Sequence, residues 1–289
     1  MIIAKTIEET RAHIARARAA GKRIGFVPTM GYLHRGHTSL VEVSKRHTDF
    51  QVMSIFVNKI QFNDPKDYVS YPREFERDFA MAREAGVDLV FLPDNEMMYV
   101  NHLTHVDVDL VTTQLCGAHR EGHFRGVFTV VTKLFNIVQP DVSVFGQKDI
   151  QQAVSIEKMV FDLNQPVKII IAPTVREDDG LAMSSRNKHL DATQRKNALV
   201  ISQSLGEARE LIARGERGAA AILGAMRRIV ESGNPQKIDY ISMVRYIDLQ
   251  PADTLAEKSV IALAAFFGTT RLIDNMVIEP AAGGFTCIY

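Results

Sequence analysis

Apolar positions along the chain fall into two rhythms. Up to about residue 173, short runs rich in β-branched residues alternate with stretches whose apolar residues recur at helical spacing. The runs RIGFV (23–27), QVMSIFV (51–57), VDLVFL (87–92), DVSVF (141–145) and VKIIIA (167–172) are continuous enough to be strands buried on both faces of a parallel sheet. Between them the spacing predicts helices over 36–46, 72–85, 126–138 and 149–161, with Pro72 suited to a first helical position. This βαβα alternation predicts an α/β fold with a Rossmann-like, doubly wound parallel sheet.

From about Asp191 the pattern changes. Ala198, Ile201, Leu205, Ala208 and Ile212 keep helical spacing, and Gly215 follows as a stop. A second helix is predicted over 219–230, ended by Ser232-Gly233-Asn234-Pro235, with strand-like runs at 238–246, 260–266 and 271–278 after it. Helices followed by strands predict a smaller C-terminal α+β domain. The two domains are therefore expected at 1–174 and 175–289, divided in the polar stretch after Thr174.

Composition narrows the function classes. Of 289 residues, 46% are apolar and 24% charged, the values of a globular protein with a sizeable core. Lysine plus arginine equals aspartate plus glutamate, 34 each, so no basic excess marks a nucleic-acid partner. The longest apolar stretch, 260–267, is too short to span a bilayer. The N-terminal MIIAKTIEETRAHIARARAAGKR carries charges throughout, without the apolar core of a signal peptide. Cys116 and Cys287 supply neither a disulfide framework nor a zinc cluster. A cytoplasmic protein without nucleic-acid or membrane partners is expected.

In an open parallel sheet, ligands bind outside the carboxyl ends of the strands. Four polar segments follow predicted strands: 28–37 (PTMGYLHRGH), 58–62 (NKIQF), 146–152 (GQKDIQQ) and 175–187 (VREDDGLAMSSRN). In the first, Gly31 and Gly36 permit close backbone approach, and His34 and His37 bracket a predicted helix N-terminus suited to phosphate. The two imidazoles either donate to a phosphate or merely cap the helix; no nearby ligand set completes a zinc site. Met183-Ser184-Ser185-Arg186 reads as a mobile cationic loop for a triphosphate, or as an ordinary helix-capping turn. Lys148 can reach a phosphate, while Asp149 can meet Mg²⁺ or a ribose, or cap a helix. Gln61 and Gln152 are uncharged amides suited to a hydroxy acid or to satisfying loop backbone. Thr129, Thr132, Lys133 and Asn136 form a polar stripe on the 126–138 helix, read as a wet face, with a pocket or subunit contact as the other reading.

PTMGYLHRGH, SIFVNKIQF, YPR, GHFRGVFTVVTKLFNIVQPD, FGQKDIQQ and REDDGLAMSSRN stand in the order and spacing of one family. The chain resembles the pantothenate synthetase (pantoate–β-alanine ligase) family, within the wider HxGH nucleotidylyl-transferase superfamily. The resemblance runs from about Ile24 to Asn187 and continues weakly into Thr270-Arg271-Leu272-Ile273-Asp274. It implies an ATP-dependent ligation in which pantoate is adenylated, pyrophosphate leaves, and β-alanine displaces AMP to give pantothenate. The first domain is then the nucleotide- and pantoate-binding one, the second a lid.

Residue by residue, the resemblance places Met30, Gly31, Tyr32, Leu33, His34, Arg35, Gly36 and His37 in an ATP loop, with His37 as acid catalyst. Gly146, Gln147, Lys148 and Asp149 match a second ATP segment; Val175 and Met183, Ser184, Ser185 and Arg186 match the remaining contacts. His34, Lys148 and Arg186 join His37 as catalytic candidates. Gln61 and Gln152 match pantoate-binding glutamines, Gln61 also bordering β-alanine, and Val130 and Val131 match a wall for pantoate's methyls. Mg²⁺ is expected mainly on the ATP phosphates, with Asp149 or Asp78 nearby, and a homodimer through the N-terminal domain is implied. Two positions depart from the family pattern: Lys59 stands where VNPxQF has proline, and Gln147 where FGEKD has glutamate. The rival reading is another HxGH nucleotidylyl transferase acting on a phosphorylated acceptor, for which Lys59 offers the one cation near Gln61.

Overall fold

A computed structural model describes all residues from Met1 to Tyr289, and they divide into two compact units. The first comprises Met1–Val108, Arg120–Gly146 and Ser155–Ala172; the second comprises Asp109–His119, Gln147–Val154 and Pro173–Tyr289. The second unit thus takes in two segments from within the sequence of the first. Gln151 shows why: its buried amide donates to the Val111 and Gln114 carbonyls and accepts the Gly117 N–H, fastening the earlier segment to the later one.

The first unit carries a parallel sheet of six strands in the order β1-β4-β3-β2-β5-β6. In chain order these are β1 (Ile2–Ala4), β2 (Ile24–Thr29), β3 (Phe50–Ile55), β4 (Leu89–Phe91), β5 (Val142–Gly146) and β6 (Lys168–Ala172). Its helices are α1 (Ile7–Ala19), α2 (Arg35–Lys45), α3 (Pro65–Ser70), α4 (Phe75–Ala85), α5 (Asn95–Met98), α6 (His123–Val138) and, from Ser155 on, α7 (Ile150–Asp162). Strand side chains alternate between faces, and the core follows. Val27, Met53, Val90 and Val144 meet Leu40 and Val41 of α2 and Ala82 of α4 on one face. On the other, Phe135 of α6 meets Phe26 and Phe145 edge-on, at 6.3 and 6.4 Å between ring centroids. Fully burying one such phenylalanine contributes about 1.5–3 kcal/mol. From β2 the chain winds one way through β3 and β4, and from β5 the other way into β6. The switch point lies between β2 and β5, where ligands of such sheets bind.

In the second unit, α8 (Ala192–Asn197), α9 (Val200–Ala213) and α10 (Ala219–Ser232) precede an antiparallel sheet. Its strands β7 (Lys237–Arg245), β8 (Ser259–Phe267), β9 (Thr270–Ala281) and β10 (Gly284–Ile288) lie in the order β10-β9-β8-β7. The predicted helical stripe Ala198, Ile201, Leu205, Ala208 and Ile212 is buried in this unit's core with Ile222, Met226 and Met276. No helix of either unit is long and apolar enough to cross a membrane.

Several elements differ from the sequence expectation. β1 and β10 are short edge strands that the apolar pattern does not announce. The polar α1 rests on its ends, with a Thr6–Glu9 capping box that satisfies two otherwise orphaned N–H groups. Pro72 is not a first helical residue, because α4 begins at Phe75; Pro65 holds that position in the separate α3. Three residues of the polar stripe of α6 are packed, and only Asn136 is exposed as a wet face predicts. Thr129 is buried and accepts the Val106 N–H at 3.0 Å, Thr132 donates to the Met159 sulfur at 3.2 Å, and Lys133 donates to the Met98 carbonyl.

Candidate active site

The HxGH turn lies between the end of β2 at Thr29 and the start of α2 at Arg35. The backbone passes through two left-handed residues, Gly31 (φ 82°) and Tyr32 (φ 52°). A Cβ on Gly31 would stand 2.9 Å from Asp78 Oδ2 and 3.0 Å from the Ile55 side chain, so glycine is required for space as well as for φ. Asp78, fully buried on α4, accepts the Tyr32 N–H at Oδ2 (2.8 Å) and the Leu33 N–H at Oδ1 (2.7 Å). Burial pushes its carboxyl above the usual aspartate range, and the two N–H bonds pull it partly back. Both carboxylate oxygens of Asp78 are thus engaged by the turn.

His34 is the N-cap of α2. Its Nδ1 accepts the Gly36 N–H at 3.1 Å, while its own N–H donates to His37 Nδ1 at 3.2 Å. The result is a capping box built from two imidazoles, with ring centroids 4.1 Å apart. A backbone N–H can only donate, so both Nδ1 atoms are acceptors and the ring protons sit on Nε2. The capping and donating readings of these histidines are therefore compatible: one nitrogen caps and the other carries the ring proton. Met30 leads into the turn, Arg35 opens α2, and Gly36 is its second residue.

Gln61 is brought to this turn within the same unit. It closes the 3₁₀ turn Lys59–Gln61, is buried, and its Nε2 approaches the Met30 sulfur at 3.1 Å. Asn58 Nδ2 donates to Gln61 Oε1 (2.9 Å) and to the Gly126 carbonyl (3.1 Å). His123 bonds the Gln61 carbonyl through Nδ1 at 2.8 Å and Arg120 through Nε2 at 3.0 Å. Arginine can only donate, so Nδ1 of this ring carries the proton. A Cβ on Gly126 would lie 2.6 Å from the Ile60 carbonyl and 2.7 Å from Gln61 Cα, so α6 approaches the turn as closely as glycine allows. Asn58, His123 and Gly126 lie inside the sequence motifs, yet no local pattern assigns them this task. At Lys59, the N–H that proline would lack donates to Asn95 Oδ1 at 3.1 Å, so the departure gains a bond. Val130 and Val131 are both buried. Consecutive helical residues point about 100° apart, so the pair does not present one flat wall.

Apart from Gly146, which belongs to the first unit, the remaining candidates lie in the second unit. Lys148, Ser184 and Arg186 line one cleft of about 290 Å³ together with Arg271. Lys148 Nζ is 4.0 Å from the largely exposed Asp149 carboxylate. Gly146 ends β5, and Gln147, buried, donates to the Ile288 carbonyl at 2.9 Å. Gln152 sits half-buried in the first turn of α7. Ser184 Oγ accepts the Arg186 N–H at 3.2 Å and caps the 3₁₀ helix Ser185–His189. The Met183 N–H donates to the Val175 carbonyl at 2.9 Å.

Braces stand on either side of the Met183–Arg186 segment that the sequence reads as a mobile loop. Arg176 forms a bidentate pair with the fully buried Asp274 at 2.6 and 3.1 Å. Arg195 holds Glu177 and Asp179, each at 2.7 Å, and Asn187 bonds Glu177.

Sheet and turn together define a Rossmann-like α/β protein of the HxGH type. The sequence matches the description "Pantoate-beta-alanine ligase" across residues 2–277. The chain belongs to the pantoate–β-alanine ligase family. It is 52% identical over 278 residues to a pantothenate synthetase of Thermoanaerobacter sp. (strain X514), covering 96% of this chain and 98% of that protein. A crystal structure of pantothenate synthetase from Thermus thermophilus superposes with a TM-score of 0.90 at 43% identity, over 95% of this chain and 98% of that one. The Francisella tularensis pantoate-beta-alanine ligase, solved with beta-gamma ATP and beta-alanine, gives a TM-score of 0.78 at 36% identity, covering 95% and 97%.

Proposed function

We propose that the protein condenses pantoate with β-alanine at the expense of ATP, through a pantoyl adenylate. The pantoate carboxylate oxygen attacks the α-phosphorus, and the bond to the bridging oxygen breaks to release pyrophosphate. The amine of β-alanine then attacks the acyl carbon, and AMP leaves as the C–O bond breaks and the amine loses a proton. The chemical need is plain: a carboxylate resists nucleophiles, whereas an acyl phosphate is neutral at carbon and carries a good leaving group.

The observation that carries this reading is the double-histidine cap. With both Nδ1 atoms taken up by backbone N–H groups, the ring protons of His34 and His37 fall to Nε2, and such N–H groups suit a phosphate whose charge grows in the transition state. Met30, Gly31, Tyr32, Leu33, Arg35 and Gly36 supply the close-approach backbone of that ATP turn. Lys148, Ser184 and Arg186 are assigned to the departing phosphates, supported by their common cleft. Gly146, Gln147, Val175, Met183 and Ser185 hold those segments. Gln61 and Gln152 are assigned to pantoate, Gln61 also to β-alanine, with Val130 and Val131 as candidates for its methyl groups. Mg²⁺ is assigned mainly to the ATP phosphates, with Asp149, the exposed carboxylate beside Lys148, or Asp78 nearby.

The family resemblance further supports a homodimer through the first unit and a cytoplasmic location, the former tested by sedimentation. The reaction itself is tested by pantoate-dependent ATP–pyrophosphate exchange. Exchange without β-alanine, and AMP plus pantothenate with it, are expected; pyrophosphate release that ignores pantoate refutes the assignment.

A further inference from the structure

Strand β10 is the outermost strand of its sheet and lies beyond the family match, which ends at residue 277. It pairs only with β9, yet its end is fastened at several points outside that ladder. The Ile288 carbonyl accepts Gln147 Nε2 at 2.9 Å, and the Tyr289 carbonyl accepts the Thr174 N–H at 3.3 Å. The Tyr289 hydroxyl donates to the Leu205 carbonyl at 3.1 Å, and its ring lies 5.4 Å from each of the Arg176 and Arg209 guanidinium groups. An edge strand needs none of these bonds to complete its sheet.

Three of the other ends, Gln147, Thr174 and Arg176, lie on the two segments that supply the polar wall of the cleft, while Leu205 and Arg209 belong to α9. Gln147 precedes Lys148, while Thr174 and Arg176 open the stretch that leads to Ser184 and Arg186. Asn275 of β9, itself buried, completes the grip: its Nδ2 donates to the Gln147 carbonyl at 2.9 Å and to the Lys148 carbonyl at 3.0 Å. The backbone of Lys148 is thus held from β9, and the side chain before it from β10. Gln147 is 3% exposed, so its amide serves this brace and not a ligand.

We infer that residues 284–289 act as a C-terminal strap which, through Gln147, positions Lys148 for the nucleotide phosphates. The inference rests on the assignment of Lys148 to ATP made above. Gln147 and Asn275 are positioning residues: they act through Lys148. Glutamate at 147 would set a carboxylate against two acceptors, the Ile288 carbonyl and Asn275 Oδ1, the latter 3.4 Å from Nε2. Asn275 cannot turn its amide round to help without releasing the carbonyls of Gln147 and Lys148. The glutamine at this position and the strap therefore belong together.

The test is a cycle of four proteins: the full chain, a chain ending at Gly283, Gln147→Glu, and the combination. Each is measured for the Kd of α,β-methylene-ATP, for KM of ATP and of pantoate in pyrophosphate release, and for thermal midpoint. Removing the strap is expected to weaken analogue binding and raise KM for ATP about 5–20-fold, with KM for pantoate moving less than about twofold. Gln147→Glu in the full chain should do the same, and in the shortened chain should add less than about twofold, because the nearer of the two opposing acceptors, the Ile288 carbonyl, is gone. If the shortened chain does not fold, Gln147→Leu decides alongside Gln147→Glu, since it removes the donor without adding charge and should also weaken analogue binding. Analogue affinity within twofold of the full chain, effects that multiply in the combination, or equal rises in both KM values overturn the inference. Should the full chain bind the analogue yet release no pyrophosphate with pantoate, the ligase reading fails while the Kd cycle still judges the strap.

Discussion

Asp78 holds Tyr32 in a left-handed conformation from across the first unit. The carboxylate takes the N–H groups of Tyr32 and Leu33 on separate oxygens, at 2.8 and 2.7 Å. Tyr32 at φ 52° is a conformation that L-residues seldom adopt without such support. The bend places His34 at the helix N-cap with its ring turned back on the first turn of α2.

Asp78→Asn tests that support. Asparagine offers one acceptor and one donor, so one backbone N–H would face another donor and the turn has to move. Pyrophosphate release is expected to fall about 10–100-fold, the scale on which small misplacements of catalytic groups act. The thermal midpoint should change far less. Activity within twofold of the parent would show that the turn keeps its shape without the carboxylate.

His37→Gln separates the two tasks of that imidazole. Glutamine at the third helical position is itself a capping-box residue, so the His34 N–H keeps an acceptor and stability should hold within about 0.5 kcal/mol. The Nε2–H donor is lost, and adenylate formation is expected to drop by about 10²–10³. His37→Ala should show the same kinetic loss plus about 1 kcal/mol in stability from the missing cap. Equal rates for His37→Gln and the parent would restrict His37 to capping.

Gly126→Ala and Gln152→Ala address the pantoate assignment from two sides. The new methyl at 126 would press on the Ile60 carbonyl and the Gln61 backbone, at 2.6 to 2.8 Å, and displace the turn that carries Gln61. A destabilisation of about 1–3 kcal/mol is expected, together with a KM for pantoate that rises more than that for ATP. Gln152→Ala should raise KM for pantoate with little change in stability, because it removes only a half-buried side chain. Parallel rises for both substrates in steady-state kinetics would remove the glutamines from the pantoate assignment.

The sheet was legible because parallel strands are written as continuous apolar runs; QVMSIFV forms the buried β3, whereas VKIIIA forms the edge strand β6 and is only half-buried. β1 was not, since three residues carry no period, and α1 was not, since its stability lies in capping more than in an apolar face. Within the site, glycines and histidines announce themselves because few sites need that combination. Their supports do not. Asp78 acts on Leu33 from 45 positions away, and Asn275 acts on Gln147 from 128. Nothing local distinguishes such an aspartate from a solvated helix residue; only tertiary register gives it its partners. The same reason explains Arg176, Glu177 and Asp179, ahead of the Met183–Arg186 segment. Their charges read as solvated, but Asp274 and Arg195, both distant in sequence, turn them into braces.

Those braces carry a pH signature. The Asp179 carboxyl is held below the usual aspartate value of 3.8, chiefly by its hydrogen bond to Arg195. A carboxylate whose pKa is lowered by folding stabilises the folded state fully above its unfolded value, and loses that contribution as pH falls through its folded value. The stabilisation from this pair should therefore be constant between pH 7 and about 5, and should fade only as pH drops below 3.8. Urea midpoints of the parent and Arg195→Gln, compared at pH 7, 5 and 3, give the measurement. The gap is expected to be equal at the two higher values and smaller at the lowest. Because Asp179 is partly exposed, added salt should also narrow the gap at pH 7. A gap that widens on acidification would mean that Arg195 supports this stretch by packing along its stem and not by charge, and the electrostatic brace would have to be given up.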